Sequence, residues 1–283
     1  MQLSGRTALS DALALFTSRF VSMLIIAVIY FVAVIVLFLV FGAGMFAQMS
    51  AAMMGGGGAP PNLAAMGGGF LGTVFLLYLV MYSLQFAEQA ALCHLCSDRQ
   101  EPSIGDSIGV GVRSVPTLLG VAVLLIIAMI VVSLVVGLVV GGAAAASGSS
   151  AVSLILSLVM LVCAAAIMTK LSMILPIVAI DGERNPITAI GSSWRMTSGS
   201  TFKLFLVLVA AVVVLGVVAI AIFMLTIGVP RPDNLPSGGG MIAFFVLIVV
   251  FAVSAGNYFV ALIAAIHRQL SGGTTAAVTE AFA

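Results

Sequence analysis

The chain has 283 residues, 63% of them hydrophobic and only 7% charged, with a formal net charge of +1. Its mean hydropathy is +1.33. A soluble domain is about a quarter charged, so this chain cannot cover itself with polar surface and its solvent must be lipid. The few basic residues are scattered rather than gathered into a patch, which gives no support to nucleic-acid binding.

A helical crossing needs about 20 apolar residues. Six stretches qualify, near 20–41, 70–96, 117–140, 151–180, 203–228 and 241–266. Helices are expected, because an open chain in lipid must close its own backbone hydrogen bonds. The short alternating strands of a barrel are not visible. The fold class is therefore an all-α polytopic membrane protein with six transmembrane helices, forming one integral domain over 1–283. The first stretch exceeds the apolar core of a signal peptide, about 7–15 residues, and is read as a retained span. With six spans, Arg6, Arg19, Arg99, Arg113, Arg184, Arg195, Lys203 and Arg268 fall on the side of the termini, against Arg231 on the other. The positive-inside rule puts both termini in the cytoplasm.

In chain order, residues 5–20 are amphipathic, with Leu9, Ala12, Leu13, Phe16 and Phe20 at helical spacing. They are expected to lie on the interface, with Arg19 at phosphate level. The first external loop, 42–69, holds GGGG, PP and GGG, and Met45, Met49 and Met53 at spacings of four. Thioethers could take Cu(I) there, but no His or Cys assists them, and gap-filling methionine is the simpler reading. The second span carries Gln85, Glu88 and Gln89 and ends in Cys93-His94-Leu95-Cys96. Zinc would want four ligands, and redox use of CxxC would want a βαβ context. Neither is present, so no metal or cofactor is expected.

Pro102 opens a segment in which Ile104, Ile108 and Val112 share a face, and the third span holds the small pair Gly137 and Gly141, which permits close helix packing. In the fourth span stands Lys170, followed by Pro176, which should kink the helix. Asn185-Pro186 is an N-cap with proline at the first helical position. Ile187, Ile190 and Trp194 form the apolar side of the segment it opens, with Arg113, Trp194 and Arg195 as further interfacial anchors.

Ile108-Gly109-x-x-x-Arg113 matches Ile190-Gly191-x-x-x-Arg195, each just before an odd-numbered span. This suggests three parallel repeats, about 5–96, 101–180 and 185–268, each a short cytoplasmic interfacial helix followed by a two-span hairpin. The repeat aligns Glu88, Lys170 and Asn257 at one depth in the even-numbered spans. Buried charge in lipid is costly, so Glu88 and Lys170 are expected to face inward and pair, with Asn257 nearby. Such a layer is either a structural ion pair or a polar binding site or path.

The residues Pro176-x-x-x-Ile180-Asp181-Gly182, Pro186, Ala189, Ser193-Trp194-Arg195 and Gly199 resemble the signature of a bacterial family of six-span proteins. That family includes the membrane domain fused to some glycerophosphodiester phosphodiesterases and the related stand-alone YciC-like proteins. The resemblance implies a bacterial cytoplasmic (inner) membrane protein near lipid metabolism or envelope homeostasis. The soluble catalytic barrel of the fused members has no counterpart in this chain, so their activity is not implied.

Three function classes remain. A non-enzymatic membrane protein that associates with lipid or organises the envelope is favoured by the scarcity of catalytic groups. A transporter or channel for a small solute or lipid-like molecule would use Glu88, Lys170 and Asn257. A membrane hydrolase or thiol enzyme would have only His94 and His267, with Cys93 or Cys96, to draw on. The partners expected are the bilayer and either a specific lipid or a membrane protein; a homo-oligomer is left open.

Overall fold

The computed structural model describes residues 4–55, 67–97, 102–147, 149–227 and 238–272. The helices are α1 (Gly5–Gly55), α2 (Gly67–Leu95), α3 (Ile104–Ser147), α4 (Ser150–Leu171), α5 (Ile174–Ala179), α6 (Pro186–Thr197), α7 (Thr201–Thr226) and α8 (Gly238–Leu270). Six helical stretches are long and apolar enough to cross a membrane, with α4 and α5 together making the fourth. Among the described residues there is no strand. The protein is a multi-pass membrane protein.

Segments expected as separate interfacial helices are separate only once. Residues 5–20 contain nothing that breaks a helix, and they run straight on into the span, giving an α1 of 51 residues. At 1.5 Å per residue that is about 76 Å, more than twice the roughly 30 Å hydrocarbon core. Similarly, α3 runs from Ile104 through Pro116 without a break. Three hydrogen bonds surround this proline, one within α3 and two to the segment that precedes α6. Ser114 Oγ donates to the Val110 carbonyl, Arg184 Nη1 donates to the Arg113 carbonyl at 2.8 Å, and Thr117 Oγ1 donates back to the Arg184 carbonyl. Only α6 stands apart from its span, because Gly199 takes a left-handed φ of +87° between α6 and α7.

Pro176 acts as the sequence requires. Its ring clashes with the carbonyl four residues earlier, that of Ser172, and it has no N–H to donate. The helix accordingly breaks between Leu171 and Ile174, and Pro176 sits in the first turn of α5. After α5 the chain turns at Gly182, φ +76°. Asn185 then caps α6, its Oδ1 accepting from the Ile187 and Thr188 amides at 2.9 and 3.4 Å.

Successive spans are neighbours, α1 on α2, α2 on α3, α3 on α4, α4 on α7 and α7 on α8, and α8 returns to α1. The ring is filled, since α5 touches α2, α3 and α8, and α2 reaches α8 across it. Where α1 begins and α8 ends, Arg268 Nη2 meets Asp11 Oδ2 at 2.8 Å and Gln269 Nε2 donates to Thr7 Oγ1. The core gathers near this terminal face: Met23 and Ile26 of α1, Leu95 of α2, Leu118 of α3, Met173 and Val178 at α5, Leu204 of α7 and Leu262 and Ile266 of α8 are all buried. Toward the other face the spans expose unbroken aliphatic surface; Leu138 is 77% and Leu225 86% exposed. No aqueous surface is built like that, and lipid tails are its natural solvent.

The tightest helix contact lies in this core. A Cβ at Gly111 of α3 would collide with the Ala87 carbonyl oxygen of α2 and lie 3.0 Å from Ala91 Cβ. At Gly137 and Gly141, the pair that permits close packing, a Cβ would meet nothing within 4 Å among the described residues.

Candidate functional site

The polar face of α2 follows from helical spacing. Tyr78, Tyr82, Gln85, Glu88, Gln89 and Leu92 recur at three and four residues and so share one side of the helix. Glu88 lies two turns, about 10 Å, inside the end of α2. It is half-buried. Among the described residues its carboxylate has no ion-pair or hydrogen-bond partner.

Two clefts meet at this carboxylate. One, of about 520 Å³, opens between α1 and α2; Tyr30 and Phe38 of α1 face Tyr78, Tyr82, Gln85 and Glu88 across it. The second, of about 560 Å³, lies between α2, α5 and α8 and is lined by Gln85, Glu88, Gln89, Leu175, Gly256 and Asn257. Tyr30, which lines the first, and Asn257, which lines the second, each carry a buried polar atom, Oη and Nδ2, without a partner among the described residues. Tyr30 and Asn257 are 5% and 3% exposed. Leaving such a group unsatisfied costs about 1–3 kcal/mol. Glu88 and Asn257 thus line one cleft.

Lys170 does not join them, and the expected Glu88–Lys170 pair is not formed. Equal depth does not fix direction around the bundle, and α4 packs on α3, α6 and α7. The Lys170 ammonium instead lies 4.6 Å from the centre of the Trp194 ring, a cation–π contact. Its position in the last turn of α4 also suits the helix dipole. Beneath it, the break before Pro176 leaves the Lys170 carbonyl without its usual amide partner. Ser193 Oγ of α6 donates to that carbonyl at 2.6 Å.

This contact also shows how α6 lies. Its buried residues are the small Ala189, Ser193 and Thr197. Ile187 is 70% and Trp194 42% exposed. The apolar side read from the sequence therefore looks mostly away from the protein, with Ile190 alone packed against the core. Arg113 and Arg195 are exposed and Arg19 half-exposed, all on the outside of the bundle.

The sequence reading did not pair His267 with Asp181. His267 Nε2 lies 2.9 Å from Asp181 Oδ2, tying the end of α8 to the turn after α5. His94 Nδ1 lies 3.4 Å from Ser107 Oγ, and Cys93 and Cys96 are buried. Among the described residues no group of three or more His, Cys, Asp or Glu side chains could hold a metal ion. The side chains of Met45, Met49 and Met53, weighed for copper, lie outside the described residues.

The chain matches no protein-family model, no curated protein and no solved structure.

Proposed function

We propose that this is a non-enzymatic integral membrane protein that takes an amphiphilic molecule from the bilayer into the polar layer around Glu88. The observation that carries this is the pair of clefts sharing one unpaired carboxylate, each lined by a residue whose buried polar atom bonds nothing among the described residues. A purely structural polar layer would satisfy its own groups. The clefts open among lipid-facing helices, where an amphiphile can enter sideways with its chain still in hydrocarbon.

The setting proposed is the bacterial inner membrane, with the terminal face in the cytoplasm. Support comes from the bias of basic residues to that side and from the resemblance of residues 176–199 to the phosphodiesterase-fused and YciC-like family.

Native mass spectrometry of protein extracted gently with its own lipids tests the reading. The wild type should keep a defined amphiphile in one copy, and Glu88→Gln should lose it while staying folded. Retention of bulk lipid alone, equal in both, would contradict it. A second reading, transport, is favoured by the position of Glu88 in the walls of both clefts. Flux of the retained molecule across proteoliposomes, absent with Glu88→Gln, separates carriage from binding.

A further inference from the structure

The α1/α2 cleft has a chemistry of its own. Three of the protein's four tyrosines line it, together with Phe38 and the Glu88 carboxylate. Tyr78 and Tyr82 stack on one another with ring centroids 6.5 Å apart. They stand at the lipid-facing edge, 60% and 53% exposed. Tyr30 and Glu88 lie deeper, and the Tyr30 hydroxyl has no partner among the described residues. Among the described residues no Lys or Arg lines the cleft.

Building on the amphiphile reading above, the geometry points to a site for an ammonium headgroup between α1 and α2. A carboxylate with aromatic neighbours attracts a cation. Glu88 and Gln85, both on the α2 wall of the cleft, carry acceptor oxygens for it. A phosphate or sulfate head would instead face the bare carboxylate in low dielectric. The apolar Val34, Phe38 and Leu77, toward the exposed part of the spans, suit the chain of such a molecule.

The test adds single compounds to full-length protein in non-ionic detergent and counts bound copies by native mass spectrometry at matched concentrations. The compounds are dodecylammonium, dodecyltrimethylammonium, dodecyl phosphate and propylammonium. Dodecylammonium should bind in one copy, at least about tenfold more tightly than dodecyl phosphate, as a charge-assisted hydrogen bond implies. The trimethyl compound, which carries the same charge, should also bind more tightly than dodecyl phosphate. Glu88→Gln should abolish both preferences over phosphate. Equal binding of the three dodecyl compounds, or preference for phosphate, overturns the ammonium assignment and leaves the amphiphile site standing. Propylammonium binding as tightly as dodecylammonium overturns the chain and leaves a small-amine site. Binding of none overturns both this inference and the reading it builds on.

Discussion

Ser193 Oγ and the Lys170 carbonyl show how a single hydroxyl carries a local architecture. Proline takes the fourth span out of helix geometry, and the freed carbonyl is met by a buried serine from the next helix. Thr197 Oγ1 reaches the same carbonyl only at 3.5 Å, so Ser193→Ala would remove its short bond and should cost about 1 kcal/mol, read as a lower unfolding temperature in non-ionic detergent. Tyr30→Phe should move the other way. Its hydroxyl is buried without a partner among the described residues, so removing it from ligand-free protein should raise stability by about 1 kcal/mol. Glu88 and Lys170 lie apart, and the energetic consequence is additivity. The destabilisations from Glu88→Gln and Lys170→Met should sum in the double variant to within about 0.5 kcal/mol, whereas coupling well above that would restore the ion pair. The sequence placed Asn257 near Glu88, and the two line one cleft. It misplaced Lys170 because direction around the bundle depends on which helices pack together, and spacing along one chain does not report that. The His267–Asp181 contact was invisible for the same reason.

At the scale of elements, the α2/α3 contact is the tightest in the core, and it rests on Gly111. A methyl group there would strike the Ala87 carbonyl oxygen, so one helix must move. Gly111→Ala should destabilise the protein by about 1–3 kcal/mol, the usual cost of overpacking, while Gly137→Ala, in open space, should change nothing measurable by thermal unfolding. The six spans, the Pro176 break and the Asn185 cap were legible in the sequence, because each is a local property of composition or backbone chemistry. Which glycine admits a neighbouring helix was not, since Gly111, Gly137 and Gly141 have equally small side chains. Nor could sequence tell a helix that stops before its span from one that runs into it. Arg184 bonds the α3 backbone at the Arg113 carbonyl beside Pro116, whereas Gly199 releases α6 from α7.

For the whole molecule, the uneven burial is the feature with most consequence. Spans packed tightly near the terminal face and bare toward the other make a body anchored at one membrane boundary, with Glu88 and its clefts where packing begins to loosen. A reporter fused after Ala283 should fold and work in the cytoplasm, and one inserted within 56–66 should be exported; the reverse would invert the orientation read from the basic residues. The central claim is that an amphiphile occupies the Glu88 layer, and photo-crosslinking in the native membrane tests it most directly. A photoreactive side chain at Met81, in the α1/α2 cleft, is compared with one at Leu134, on the lipid-exposed surface of α3. The account predicts one defined amphiphile at Met81, absent from Leu134 and lost with Glu88→Gln. The same mixture of bulk lipids at both positions, unchanged by Glu88→Gln, would contradict it.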